Sequence, residues 1–245
     1  MRIALVTGGT GTIGREVCAQ LLEDGCHVVA NCHPSDLAAA EAWAKPLRAK
    51  RIPLEIWPFD VTDHKAVAKA IQDISDQIGP IDILVNAAGI TRDASLRKLT
   101  LEDWDAVIRT NLDSVYHATR SVLEGMVERG FGRVINISSV NGQRGQFGQT
   151  NYSAAKAGMH GFTMALAREL GAKGITVNSV SPGYIESPLT KAVPERVREE
   201  ILADIPVGRF GQPQEVASVV SFLAAEDASY ITGANIPING GYHMN

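Results

Sequence analysis

The chain has 245 residues, 45% hydrophobic and 20% charged, and its 23 Lys and Arg against 27 Asp and Glu leave a net charge of −4 with His neutral. That length supports one large core without disulfides or structural metal, and the acidic balance argues against non-specific attraction to nucleic acid or an anionic membrane. Cys18, Cys26 and Cys32 form no Cys-x-x-Cys pair and read as reduced packing thiols of a cytoplasmic protein. The apolar run at 3–6 is too short for a signal peptide, and 216–225, the longest largely apolar stretch, is too short to span a membrane.

From the N-terminus, short apolar runs alternate with longer amphipathic segments: 3–6 then 17–22, 27–30 then 37–47, 54–59 then 67–78. The beat continues with β-branched runs at 81–85, 133–137 and 176–180, each after a glycine-containing break, and a last run at 234–238 precedes Asn239-Gly240-Gly241. Runs that are apolar throughout suit strands buried on both faces, and the helices between them supply parallel crossovers. The predicted fold is a single α/β domain over residues 1–245, a doubly wound parallel sheet with helices on both faces. Pro182, Pro188, Pro194, Pro206 and Pro213 interrupt the alternation and predict short helical pieces joined by turns. Residues 184–212, following a strand's C-terminal end, are a candidate lid over the ligand crevice.

Thr7-Gly8-Gly9-Thr10-Gly11-Thr12-Ile13-Gly14 lies between the first strand and the first helix. Gly9, Gly11 and Gly14 fit G-x-G-x-x-G, whose glycines let backbone N–H groups approach a pyrophosphate at a helix N-terminus, the fingerprint of a Rossmann-type dinucleotide site. An acid closing the second strand would bind the ribose hydroxyl of NAD and repel the 2′-phosphate of NADP. Here that stretch is Ala30-Asn31-Cys32-His33-Pro34-Ser35, with the first acid at Asp36. The missing carboxylate predicts NADPH, with Asn31, His33 and Ser35 as donors to the phosphate.

Tyr152-Ser153-Ala154-Ala155-Lys156 opens a long amphipathic segment, and a spacing of four stacks Tyr152 and Lys156 on one helix face. A phenol is a poor acid or base at neutral pH unless a nearby cation stabilises its ionised form, which an ammonium can do. Ser139, at the end of a predicted strand, sits where a parallel sheet presents ligand-facing groups. His160 follows Lys156 by one helical turn and reads as a packed or surface histidine.

The glycine turn, Asn86-Ala87-Ala88-Gly89, Asn111, Ser139, Tyr152-x-x-x-Lys156 and Pro182-Gly183 resemble, in order and spacing over essentially the whole chain, the short-chain dehydrogenases/reductases. One departure is Thr12, where the family's T-G-x-x-x-G-x-G pattern has glycine; the turn also fits the T-G-x-x-G-x-x-G of extended members such as sugar-nucleotide epimerases. The resemblance implies that Tyr152 protonates a carbonyl oxygen as hydride arrives and that Ser139 hydrogen-bonds the same oxygen. It implies that Lys156 holds the nicotinamide ribose and favours ionised Tyr152, while Asn111 anchors a water connecting Lys156 to solvent. Implied cofactor contacts are Gly8, Gly9, Gly11, Thr12, Ile13, Gly14, Asp60, Val61, Asn86, Ala87, Ala88, Gly89, Tyr152, Pro182, Gly183, Ile185 and Ser187, the last in place of the usual threonine. Asn86 takes the part of a central-strand stabiliser.

Within that family, residues 141–151 with Ile90-Thr91-Arg92-Asp93, Asn239-Gly240-Gly241 and His243-Met244 are similar to acetoacetyl-CoA reductases of the polyhydroxyalkanoate pathway. The implied partner is acetoacetyl-CoA or a similar 3-oxoacyl thioester, with Asp93, Lys98, Ser139, Gln146, Phe147, Gln149 and Tyr184 as candidate substrate contacts. The related 3-oxoacyl-(acyl-carrier-protein) reductases share nearly all the scaffold motifs; that substrate would need a basic docking surface, for which Arg129, Arg133 and Lys173 are available. The implied assembly is a homotetramer built on the long helices around 101–126 and 150–170. No serine lies in a G-x-S-x-G elbow, and the six histidines show no zinc-ligand spacing, so no metal is expected. A non-catalytic nucleotide sensor on this fold would be expected to lose the Tyr152/Lys156 pair, which is intact.

Overall fold

Seven parallel strands carry the site at their C-terminal ends. In this computed structural model, which describes residues 1–50 and 52–244, they are β1 (Ile3–Thr7), β2 (His27–Cys32), β3 (Leu54–Pro58), β4 (Ile83–Asn86), β5 (Gly132–Ile137), β6 (Ile175–Pro182) and β7 (Asn235–Ile238). They pair in the order β3-β2-β1-β4-β5-β6-β7. Between them run α1 (Thr12–Glu23), α2 (Leu37–Ala49), α3 (His64–Gln77), α4 (Leu101–Ile108), α5 (Ser114–Arg129), α6 (Asn141–Arg144), α7 (Thr150–Leu170), α8 (Pro188–Lys191), α9 (Glu195–Ala203) and α10 (Pro213–Ala224). Among the described residues no helix is long and apolar enough to cross a membrane.

Every residue of β1, β4, β5 and β6 is buried, which is why these strands show no alternation of apolar and exposed polar positions. One face, with Val6, Val28 and Ile135, packs on Val17 and Leu21 of α1 and on Val216 and Val220 of α10. The other, with Leu5, Leu84 and Val134, packs on Ile71 of α3, Val122 and Met126 of α5 and Leu170 of α7. The chain winds outward from β1 through β2 to β3, then returns to place β4 on the other side of β1. A crevice opens at such a reversal, at the C-terminal ends of the strands.

Four buried side chains stitch the middle of the sheet to the helices. Asn86 Nδ2 donates to Asn136 Oδ1 at 2.9 Å and to Thr119 Oγ1 at 3.3 Å, and Asn136 Nδ2 donates to Thr163 Oγ1 at 3.0 Å. Asn86 thus ties the end of β4 to β5 and to α5.

The expected helix around 101–126 divides into α4 and α5 across a π turn, Arg109–Asp113. The side chain of Asn111 donates to the Val107 carbonyl at 2.9 Å, the acceptor that an uninterrupted helix would offer to the backbone N–H of residue 111. In the interrupted stretch after β6, α8 and α9 are the short helical pieces that the prolines predict.

The glycine turn closes tightly. Gly8 has φ +61°, and a Cβ on Gly14 would lie 2.2 Å from the Gly8 carbonyl oxygen. Thr12 is the first residue of α1, after an N-cap at Gly11 with φ −75° and ψ 174°, so its helical backbone needs no glycine there. Gly14→Ala is therefore expected to lower unfolding free energy by about 1–3 kcal/mol in urea denaturation. Thr12→Gly, which restores the family pattern, should change it by less than about 1 kcal/mol.

Candidate active site

Two adjoining cavities open over the strand ends and share Gly8, Gly11, Ala87, Gly89 and Ile90. The first, about 450 Å³, also takes in Thr12, Ile13, Gly14, Ser139, Gln149, Tyr152, Lys156, Pro182, Gly183, Tyr184, Ile185 and Ser187. The second, about 940 Å³, reaches over β2 and β3 to Asn31, His33, Ser35, Asp60, Val61 and Ala88. Most residues singled out in the sequence thus meet in one continuous crevice.

Tyr152 and Lys156 lie one turn apart near the start of α7, and Ser139 follows the end of β5. Lys156 is buried; its Nζ donates to the Ile137 carbonyl at 2.7 Å and lies 5.6 Å from the Tyr152 ring centroid. Burial lowers the Lys156 ammonium from the ordinary lysine range to about 7. Burial pushes the Tyr152 phenol up; a hydrogen bond with the Ser139 hydroxyl pulls it down, and the negative charge of Asp93 adds to the rise. The net direction is upward, because desolvation outweighs the favourable contact.

Asn111 is fully buried, with Nδ2 committed to the Ile90 and Val107 carbonyls, each at 2.9 Å. Its Oδ1 has no partner among the described residues. A Cβ added at Gly89 would lie 2.6 Å from Asn111 Oδ1 and 3.7 Å from Lys156 Nζ, so both polar atoms border the same glycine.

At the other end of the crevice three expectations change. Asn31 is not a donor to a phosphate: its Nδ2 is committed to the carbonyls of Cys32, Trp57 and Phe59, and its Oδ1 accepts from Gly8 N at 3.1 Å, fastening the strand edge to the glycine turn. Gly9 lines neither cavity, because it packs against Ala30, where a Cβ would come within 2.9 Å. Asn86 likewise lies in the interior. His33 Nδ1 accepts from Ser35 N at 3.2 Å, and its Nε2 lies 3.8 Å from Asp60 Oδ2. Asp60 Oδ1 accepts from the Thr62 N–H and hydroxyl, both at 2.8 Å.

Arg15 was missed in the sequence. From α1 it reaches the second cavity, with Nε donating to the Thr10 carbonyl at 2.8 Å and its guanidinium 5.3 Å from the Trp43 ring centroid. Only its position four residues past Gly11, one helical turn into α1, signals it. Thr190 was missed too: it lines the first cavity beside Ser187 and donates from Oγ1 to the Ile185 carbonyl at 3.1 Å.

Of the candidate substrate contacts, Ser139, Gln149 and Tyr184 line the first cavity, whereas Asp93, Lys98, Gln146 and Phe147 line neither. Phe147 is 89% exposed and does not pack as part of a lid. Gln149 donates to Asp93 Oδ2 at 2.8 Å and accepts from Asn141 Nδ2 at 2.9 Å, joining Asp93 to the site indirectly. Tyr184 stacks on Phe210 with centroids 5.6 Å apart.

The family model described as enoyl-(acyl-carrier-protein) reductase matches residues 9–243. The chain belongs to the short-chain dehydrogenase/reductase family. It is 56% identical to the acetoacetyl-CoA reductase of Allochromatium vinosum, over 99% of both chains. It is 50% identical to the acetoacetyl-CoA reductase of Cupriavidus necator, over 99% of this chain and 98% of that one. It is 44% identical to the 3-oxoacyl-(acyl-carrier-protein) reductase of Pseudomonas aeruginosa, over 99% and 98%.

Membership brings with it a nicotinamide cofactor. The residues present fit one: Gly8 and Gly14 leave no room for side chains where a pyrophosphate must approach the start of α1, and the unpartnered Asn111 Oδ1 marks a polar position near Lys156.

The Lys156 ammonium also couples this reductase's stability to pH. Its folded pKa is lowered, so between about 7 and its ordinary value the unfolded chain binds the extra proton, and stability rises as pH rises through that window. Urea denaturation of wild type and Lys156→Met should show their stability difference moving in favour of wild type by up to roughly 4 kcal/mol between pH 7 and 10. A difference that stays flat over that range would overturn the assignment of a lowered ammonium.

Proposed function

We propose that the enzyme uses NADPH to reduce acetoacetyl-CoA, or a similar short 3-oxoacyl thioester, to the (R)-3-hydroxyacyl product. The observation that carries this reading is that Tyr152, Ser139 and Lys156 meet in the crevice of a chain 56% identical to an acetoacetyl-CoA reductase. When bound, the cofactor supplies the hydride. Tyr152, kept protonated by burial, gives its proton to the substrate carbonyl oxygen, and Ser139 donates a hydrogen bond to that oxygen as charge develops. Lys156 uses one ammonium hydrogen on Ile137, and the others would serve the cofactor's ribose and Tyr152. Asn111 Oδ1 accepts the next hydrogen bond of a path that returns a proton from solvent. Residues 184–212, with α8 and α9, act as the lid, and Gln149 and Tyr184 border the thioester.

Preference for the 2′-phosphate rests on the absence of an acid between Asn31 and Ser35 and on Arg15, His33 and Ser35 around the second cavity. The acyl-carrier-protein alternative has less support. Arg133 is buried at the start of β5, opposite the crevice, donating to the Ala225 and Gly132 carbonyls, and Arg129 is held by the Ile81 carbonyl and Asp82. The homotetramer draws support from Tyr116 on α5 and Met164 on α7, both more than half exposed. A cytoplasmic location suits three buried free thiols.

Steady-state kinetics test the reading. Acetoacetyl-CoA should exceed acetoacetyl-acyl-carrier-protein in kcat/KM, and Tyr152→Phe should keep the fold while lowering kcat by roughly 10²–10⁴. A tenfold advantage of the carrier-protein substrate, or near-normal turnover by Tyr152→Phe, would overturn it. For the cofactor, NADPH should be preferred over NADH. Arg15→Ala should weaken NADPH roughly tenfold while sparing NADH, and His33→Asp should reverse the preference. Equal use of both cofactors by wild type would refute that part.

A further inference from the structure

His160 is a titratable group that takes no part in the chemistry above. It lies one turn beyond Lys156 on α7 and borders a separate cavity of about 390 Å³ with Gln143, Met164, Asn235 and His243. Its Nε2 is 2.8 Å from Ser138 Oγ and 3.2 Å from Ser181 Oγ. Ser138 immediately precedes Ser139, and Ser181 immediately precedes Pro182-Gly183, so one ring nitrogen touches both strand ends that line the reacting part of the crevice.

The proton on that nitrogen follows from its neighbours. Ser138 Oγ is 2.9 Å from the Lys156 carbonyl, which can only accept, so the single hydroxyl proton of Ser138 points there. Ser138 therefore meets His160 as an acceptor, and Nε2 must carry hydrogen. Ser181 repeats the pattern, donating to Asn235 Oδ1 at 2.7 Å and leaving its lone pairs for His160. Burial and the nearby Lys156 charge both disfavour the imidazolium, leaving the neutral ring with hydrogen on Nε2.

We infer that His160 is a positioning residue: as the Nε2–H tautomer it donates to Ser138 and Ser181 together and ties the α7 turn bearing Lys156 to the ends of β5 and β6. The ties cross, since Lys156 Nζ donates to Ile137 while Ser138 donates to the Lys156 carbonyl. Loss of the His160 donor would leave both hydroxyl oxygens one partner short and would loosen the distance from Ser139 to Tyr152 and Lys156, to which a proton transfer is sensitive. The inference rests on the catalytic reading of those three residues.

The test uses the full-length protein labelled with ¹⁵N-histidine, with His160→Gln identifying the His160 signals. At pH 7 the ring should show the neutral Nε2–H pattern. With acetoacetyl-CoA and NADPH, His160→Leu should lose at least tenfold in kcat while KM for NADPH stays within about twofold. His160→Gln, whose amide nitrogen can donate to both serines, should stay within about threefold of wild type. A merely packing role predicts that the two variants fall or survive together. An Nδ1–H or imidazolium spectrum, wild-type kcat in His160→Leu, or a tenfold loss in His160→Gln would overturn the inference. Should His160→Leu fail to fold, the spectrum and His160→Gln decide. Failure of wild type to reduce acetoacetyl-CoA would overturn the functional reading instead, and the spectrum would still judge the tautomer.

Discussion

The ammonium of Lys156 is buried against the Ile137 carbonyl, and the docking of α7 onto the end of β5 keeps it there. An uncompensated charge in that position would favour opening of the helix toward water, so the site depends on contacts that leave no slack. Gly142 in α6 supplies one of them: a Cβ there would lie 2.8 Å from the Lys156 carbonyl carbon, so α6 lies flat on the turn that carries the lysine. Asn151 supplies another, reaching from the first turn of α7 to the Arg92 carbonyl at 3.1 Å and accepting from Tyr152 N at 2.8 Å. The same desolvation that lowers Lys156 raises Tyr152, so one act of packing sets both groups.

The sheet was legible in the sequence because strands covered on both faces are rich in β-branched and apolar residues, and the few polar ones, such as Asn136 in β5, are paired inside. The crossover helices were legible because each must present an apolar stripe to that sheet. Tyr152, Lys156 and the glycine turn were legible because their spacing is local: four residues on a helix, and a strand, a turn and a helix in succession. What depends on distant neighbours was not. Asn31 reads as a free donor until β3 and the glycine turn surround it, and Arg15 reads as a solvated helix residue until α2 brings Trp43 beneath it. Phe147 and Gln146 precede Tyr152 by only a few residues, yet they lie between two glycines of positive φ, Gly145 and Gly148, and line neither cavity.

The interruption between α4 and α5 shows why function and regularity part company. A continuous helix would bond the Val107 carbonyl to backbone and leave the Asn111 side chain to project like any other. With the π turn, the side chain takes that carbonyl and the Ile90 carbonyl, and its oxygen is fixed beside Gly89 without a partner among the described residues. The local irregularity is compensated by the packing of Val107 and Val115, both buried on either side of it.

The amide chain through the middle of the sheet constrains how this sequence can drift over generations. Asn136 accepts from Asn86 and donates to Thr163, so a substitution at any one of the three leaves a neighbour's polar group stranded away from water. An exposed position of α7 such as Glu169 can change alone without stranding a buried partner. Asn86, Asn136 and Thr163 lie far apart in the chain yet are coupled physically, and replacing all three together by apolar side chains that fill the same space strands less polar surface than replacing one.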